Sequence, residues 1–215
     1  MNYSLINKIY LTNWENMCNF ALSKMKTTDL IKQLFTRSWK LTADTTAAWD
    51  EIAVEKNTPR DVFLHYTLPL VIICFIFSSF FGYLYADENR VTVGFLKGLT
   101  VAVSLLAGNL LAYSMGVSAL THFLPHFSVK TNVARLVFYS FCLMYFLRIV
   151  TSIFPELFFL KVLNVFTAYL VWDGCRGVMG MNEDERSNFV LLITVMIIIV
   201  PLIIRYLLQW MLPTI

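Results

Sequence analysis

The sequence predicts an all-α protein: an integral membrane bundle of five transmembrane helices with a short amphipathic helical N-terminal region. Its residues are 58% hydrophobic and only 14% charged, whereas a soluble domain has about 25% charged residues. The apolar residues also fall into five long runs, and about 20 such residues in a helix cross a hydrocarbon layer of about 30 Å. Both observations exclude an ordinary soluble domain and a nucleic-acid-binding protein.

Residues 1–61 are predicted to form a cytosolic or interfacial region. Within it, residues 1–24 are interpreted as an optional extension, because Met25 is an equally natural first residue. The first residues lack the apolar core and small-residue cleavage site of a signal peptide. The first span is therefore expected to direct insertion into the membrane.

Two short helices are predicted in front of the first span. From Asp29 to Trp39 apolar residues recur at helical spacing between basic residues, which is typical of an amphipathic helix. This helix either lies in the headgroup plane with its aromatic side chains in lipid or packs on the cytoplasmic ends of the bundle. The second helix is predicted to follow Asp44, with Trp49 and Ile52 on one face. The apolar face of the first helix consists of Leu30, Ile31, Leu34, Phe35 and Trp39.

The membrane domain is predicted to cover residues 62–212. Pro69 lies near the start of the first span and is expected to kink it, which membrane helices tolerate because neighbours satisfy the freed carbonyl. The second span is rich in small residues, including Gly108, Ala112 and Gly116, which let helices approach closely. We therefore expect the second span at the centre of the bundle. The five predicted spans are residues 62–84, 99–120, 136–154, 157–172 and 189–211.

The connections between the spans set the expected orientation. Pro155 and Glu156 are predicted to make a tight turn, and Asp173–Ser187 is predicted to be a glycine-rich loop that becomes acidic. Tyr206 and Trp210 stand where an aromatic belt is expected. Lys and Arg residues outside the spans are concentrated before residue 62, which predicts the N-terminus in the cytoplasm and the C-terminus outside.

Arg148 is the most informative charge, because it falls within the third apolar run. A charge near the bilayer centre costs about 2.5–3.5 kcal/mol on insertion scales, so it is expected to have a partner or to reach the interface. Two interpretations are open: a structural pair with Glu156, or a functional contact with an ion or substrate. Lys161 is expected to reach the interface in the same way.

The remaining polar residues predict no catalytic or metal site. His122 and His126 are four residues apart, but Pro125 lies between them and no third ligand is near. The four cysteines are scattered, which predicts neither disulfides nor a zinc site. No nucleophile arrangement and no phosphate loop is present, so the chain is predicted not to be an enzyme and to need no cofactor. Interhelical hydrogen bonds are expected from Asn109, Ser140 and Asn164.

A set of loose motifs carries a family resemblance. Trp49, Ile52 and Glu55 are followed by Tyr66 and Pro69 at the start of the first span. The chain is similar in these motifs, and in their order over about residues 28–212, to bacterial members of the Yip-one domain family, named for Ypt-interacting proteins. It departs from the family in two places: the family's Thr-Pro after the Tyr-Ser pair and its proline before the tryptophan are both absent. The later motifs are Phe138-Tyr139-Ser140, the hairpin at Pro155, and Tyr169-Leu170 followed by Gly174, Gly177 and an acidic stretch.

The resemblance implies a five-pass helical membrane protein. Eukaryotic members act in vesicle traffic and bind prenylated Rab GTPases and each other, partners that bacterial members do not have. The resemblance therefore predicts architecture better than activity. Residues from the motifs and from the charge analysis make up the candidate structural and functional set: Trp49, Glu55, Tyr66, Pro69, Tyr139, Arg148, Glu156 and Tyr169.

Two functional hypotheses follow. The first is a non-catalytic membrane scaffold or adaptor in the bacterial cytoplasmic membrane, which organises lipids, a membrane-protein partner or copies of itself. The second is a small transporter or channel that acts as an oligomer. Few intramembrane charges disfavour coupled ion transport by one protomer. In either case the lipid bilayer is the expected environment, and no nucleic acid is expected as a partner.

Overall fold

A computed structural model describes residues 27–123 and 130–211, and these residues form helices without any β-strand. The chain divides into two compact units, residues 1–37 and 38–215. Helix α1 covers Thr27–Ala43 and helix α2 covers Thr45–Val54. Asp44 caps α2 by accepting a hydrogen bond from the Ala47 backbone N–H at 3.3 Å. The helical N-terminal region is thus confirmed.

The predicted apolar stripe of α1 is divided in the structure. Leu34 and Leu41 are buried, whereas Ile31, Phe35 and Trp39 are exposed, Trp39 by 72%. One face of the helix is therefore covered and another presents large apolar side chains.

Five long helices follow, and each is long and apolar enough to cross a membrane. The five predicted spans are therefore confirmed, although most of the helices extend beyond the predicted bounds. The sequence prediction followed the apolar runs, and helical structure continues past them into polar residues. The helices are α3 Pro59–Leu84, α4 Arg90–Phe123, α5 Lys130–Ile153, α6 Pro155–Met179 and α7 Glu183–Met211.

Pro69 changes the winding of α3 without ending it. A π-helical turn covers Phe63–Thr67, and the Leu68 N–H bonds to the Phe63 carbonyl. A proline ring clashes with the carbonyl four residues before it in an α-helix, which here belongs to His65. The wider π turn relieves that clash.

The third span, rather than the second, is the most enclosed helix. In α5, 67% of the most apolar stretch is buried, against 39% in α4. The expectation that the second span forms the centre was wrong, because it is α5 that packs against all four other spans and is buried most. The small residues of α4 still lie in a packing seam: a Cβ on Gly108 would meet the Pro201 ring of α7, and one on Gly116 would lie 2.9 Å from Ile193 Cδ1.

Helix α6 departs most from prediction. Its first half, Pro155–Phe166, is wound as a 3₁₀-helix, which rises about 2.0 Å per residue instead of 1.5 Å. Its second half, Thr167–Met179, is α-helical and ends at Gly180 in the left-handed conformation. The predicted loop over Asp173–Ser187 was therefore wrong for its first part and for its end, since α7 starts at Glu183.

Candidate functional site

Three aromatic residues from separate segments meet at the end of the bundle where α3 and α5 begin. The rings of Tyr66 and Tyr139 lie 4.6 Å apart. Trp49 approaches the Tyr139 ring edge-on at 6.4 Å. All three are at most 2% exposed. Ser38 Oγ and the Tyr66 hydroxyl lie 3.0 Å apart and share a hydrogen bond, so α1, α2, α3 and α5 are joined here.

Two glycines of α6 form a groove for Trp49. A Cβ on Gly174 would lie 2.8 Å from Trp49 Cε2, and one on Gly177 would lie 3.1 Å from Trp49 Cβ. The Thr46 hydroxyl donates to Asp173 Oδ2 at 2.7 Å beside this groove. Because Gly174 and Gly177 are three apart, both lie on one face of α6. Helix α2 therefore rests directly on the α6 backbone.

A polar network ties the segment between α2 and α3 to α5. The Arg135 guanidinium donates to the backbone carbonyl of Glu55 and, at 3.2 Å, to that of Asn57. Asn57 Nδ2 donates to Glu55 Oε2 at 2.8 Å, and the Tyr139 hydroxyl lies 3.5 Å from the same oxygen. We call Trp49, Glu55, Tyr66, Arg135 and Tyr139 the docking cluster, because they fix α2 and the following segment to the bundle.

A family model for the Yip1 domain matches residues 39–205. The chain belongs to the Yip1 family. It is thus a multi-pass helical membrane protein of this family. A comparison with curated proteins and with solved structures finds no match.

Four of the eight predicted residues of this Yip1 domain lie in the docking cluster: Trp49, Glu55, Tyr66 and Tyr139. Pro69 lies one turn further along α3, just after the π turn that carries Tyr66. Tyr169 lies apart from the cluster, is half exposed, and contacts Phe166 at 5.2 Å. Packing of the helices thus brings together motif residues that are far apart in the sequence.

Arg148 and Glu156 lie in the half of the Yip1 domain away from the docking cluster, and the predicted pair between them does not form. Arg148 is buried and Glu156 is exposed. No ion pair joins them among the described residues. Helix α5 ends at Ile153, and Glu156 lies exposed in the first 3₁₀ turn of α6. Their proximity in the sequence therefore does not bring Arg148 and Glu156 together.

Sequence reasoning missed several residues of the Yip1 domain that the structure makes important. Arg135 was read only as a loop charge, although its position directly before the third apolar run was a usable signal. Gly174 and Gly177 were read as loop residues, although their spacing of three suits a helix face. Arg205 and Lys97 line one cavity, and Arg205 lies near Arg148; the position of Arg205 within the fifth apolar run was a usable signal, whereas Lys97, just before the second predicted span, carried none.

The predictions of interhelical hydrogen bonds have mixed outcomes. Asn109 Nδ2 donates to the Tyr145 hydroxyl at 2.8 Å, an interhelical bond as predicted. Asn164 instead donates to the Lys161 carbonyl of its own helix, and Ser140 Oγ is buried without a partner among the described residues. The described part of the chain contains no group of three His, Cys, Asp or Glu side chains suited to a metal ion. His126 and Cys18 lie outside the described residues.

Proposed function

We propose that this Yip1-family protein is a non-catalytic membrane scaffold or adaptor that presents helix α1 at the cytoplasmic face of a bacterial inner membrane. The docking cluster is the observation that carries the proposal. Its aromatic rings are buried and its Arg135 is occupied by backbone carbonyls. Such an arrangement suits a rigid joint between an N-terminal segment and a membrane anchor, rather than a reaction centre.

The exposed face of α1 supports the same proposal. Ile31, Phe35 and Trp39 are spaced by four, so they follow one another along one side of the helix. Large exposed apolar side chains of this kind mark contacts with a membrane surface or a protein partner. The positive charge before residue 62 supports a cytoplasmic location for this face.

Site-specific photo-crosslinking tests the proposal. A photoreactive amino acid is placed at Phe35 or Trp39, and at Gln33 as an exposed control on another side of the same helix. We expect discrete adducts with one partner protein or with lipid from Phe35 and Trp39, and none from Gln33. A protein adduct identifies an adaptor, and a lipid adduct identifies a membrane-surface scaffold.

Two labelling results would contradict the proposal. Equal labelling at all three positions, or no labelling at any of them, would remove the functional role of this helix face. Solute flux through liposomes that contain the purified protein would favour the transporter or channel hypothesis instead.

A further inference from the structure

A cavity of about 440 Å³ lies at the end of the bundle where α3, α5 and α7 end. All five spans contribute to its wall. Its volume is within the range of small-ligand sites, about 300–1,000 Å³. Arg205 lies six residues before the end of α7 and Lys97 seven residues after the start of α4. At 1.5 Å per residue these positions are about 10 Å from the helix ends.

Three cations from three helices line this cavity: Lys97, Lys161 and Arg205. Arg148 is close enough for its charge to act on both Lys161 and Arg205. Among the residues that the structure describes, no Asp or Glu lines the cavity. Within the described chain, none of these four cations forms an ion pair with a carboxylate.

This concentration of positive charge is unfavourable for the protein alone. Charges of like sign repel more strongly in a low-dielectric surrounding than in water, and cations inside a membrane domain are otherwise found in pairs with acidic groups. Two of the four residues are substantially buried: Arg148 is 7% exposed and Arg205 is half-buried. An anion that enters the cavity would relieve the repulsion among all of them.

One hydroxyl group in the same wall lacks a hydrogen-bond partner in the described part of the chain. Thr100 is 3% exposed, and its Oγ1 has no hydrogen-bond partner among the described residues. The other wall hydroxyls are already engaged: Ser152 Oγ donates to the Arg148 carbonyl at 2.8 Å, which leaves Ser78 Oγ to donate to Ser152 Oγ at 3.0 Å. A guanidinium and two ammonium groups around one cavity match a group with several anionic oxygens better than a single carboxylate.

We propose that this cavity binds a phosphate group, with Lys97, Lys161 and Arg205 in contact with its oxygens and Arg148 adding favourable charge. The phosphate belongs either to an anionic lipid headgroup or to a soluble phosphate. Basic pockets between membrane helices are a known mode of lipid headgroup recognition. The proposal is independent of the role of α1 and of the docking cluster.

Thermal unfolding of the full-length protein in a neutral detergent tests the proposal. The additives are short-chain phosphatidylglycerol, short-chain phosphatidylcholine, a short-chain fatty acid, and inorganic phosphate against chloride at equal ionic strength. We expect phosphatidylglycerol, inorganic phosphate or both to raise Tm saturably by about 5 °C. Phosphatidylcholine, the fatty acid and chloride are expected to have little effect. A shift with phosphatidylglycerol alone identifies a lipid headgroup, and an equal shift with inorganic phosphate identifies a soluble phosphate.

Charge variants separate a specific site from general screening. Lys161→Gln and Arg205→Gln are expected to lose most of the additive-induced shift while keeping or raising Tm without additive, because each removes an unopposed charge. Lys161→Arg should retain the shift. Lys56→Gln is the matched control, since it removes an exposed lysine in the segment between α2 and α3, and its shift should equal that of the wild type.

Three results would overturn the phosphate site. One is the absence of a Tm shift in the wild type with phosphatidylglycerol and with inorganic phosphate. Another is an equal shift in Lys161→Gln, Arg205→Gln and Lys56→Gln. The third is an equal effect of the fatty acid, which would mean that any negative charge suffices. The wild-type measurements decide the proposal even if a variant does not fold.

Discussion

Trp49 is fixed by residues that are far from it in the sequence. Its side chain is fully buried, its benzene ring lies over Gly174, and its pyrrole nitrogen has no hydrogen-bond partner among the described residues. An unpaired buried N–H carries a free-energy cost. The apolar contacts of the ring with α5 and α6 must therefore supply the stabilisation at this position.

Replacing Trp49 by alanine should therefore be among the most destabilising single changes. Truncation of a large buried aromatic side chain typically lowers the free energy of unfolding by about 3–5 kcal/mol. Trp39→Ala is the matched control, because Trp39 is 72% exposed and surface changes are usually within about 0.5 kcal/mol. Thermal or denaturant unfolding in detergent measures both. Similar losses for the two variants would contradict the buried role of Trp49.

Gly174 gives a second prediction, in which a side chain is enlarged instead of truncated. A methyl group at this position would lie 2.5 Å from Leu136 Cδ1 and 2.8 Å from Trp49 Cε2. We expect Gly174→Ala to lower the free energy of unfolding by about 1–3 kcal/mol through overpacking. Gly177→Ala is the control in the same helix, because its closest contact is 3.1 Å and alanine gains about 1 kcal/mol of helix propensity. Unfolding curves in detergent should give a clearly larger free energy of unfolding for Gly177→Ala than for Gly174→Ala. The reverse order would contradict the groove for Trp49.

At the scale of elements, helices α3 and α4 approach most closely along a glycine seam. Gly82 on α3 and Gly94 on α4 face each other, with a distance of 3.2 Å from a Cβ on Gly82 to Gly94 Cα. One turn further on, a Cβ on Gly98 would meet Ser79 Oγ and would lie 2.9 Å from the Phe75 carbonyl oxygen. Small residues bring membrane helices together because van der Waals packing drives their association. The hairpin therefore depends on glycines outside the small-residue stripe noticed in the sequence.

Gly98→Ala should separate this hairpin. The added methyl group meets backbone as well as side chain, so the helices have to move apart, and we expect a loss of about 1–3 kcal/mol or more. Ser114→Ala serves as the control, because Ser114 is an exposed residue of the same helix. Folding yield and Tm in detergent measure the effect. A Gly98→Ala protein as stable as Ser114→Ala would mean that the helices are not in direct backbone contact.

For the whole of residues 38–215, the two ends of the bundle differ in chemistry. The docking cluster at one end combines aromatic rings with Glu55 and Arg135, whose guanidinium is bound by carbonyls. The cavity at the other end is lined by three cations and, among the described residues, by no carboxylate. The positive-inside rule counts loop residues, so cations inside helices, such as Lys161 and Arg205, do not weigh against the predicted orientation.

Cysteine labelling tests the predicted orientation. In a Cys18→Ser background, Lys56→Cys and Glu88→Cys each add one exposed thiol in the segments on either side of the first span. We expect a membrane-impermeant maleimide to label Glu88→Cys in intact bacterial cells and Lys56→Cys only after permeabilisation. The native thiols of Cys74, Cys142 and Cys175 are buried and should give a low background. Labelling of both engineered cysteines from outside would contradict the orientation with a cytoplasmic N-terminus.

The sequence by itself determined the class of the protein, the number of spans and the helices that precede them. These properties depend on local composition and helical spacing, which each segment carries in its own residues. It also supplied Trp49, Glu55, Tyr66 and Tyr139 as a candidate group, because the family resemblance depends on the order of motifs along the chain.

The tertiary structure alone decided which residues face each other. It placed Gly174 under Trp49, turned Glu156 away from Arg148, and gathered Lys97, Lys161 and Arg205 around one cavity. The direction that a residue faces on a helix, and the neighbour that it meets there, depend on the packing of all five spans. Close contacts and clusters of like charge form between segments that are far apart in the sequence. The hydropathy of each segment contains no information about either.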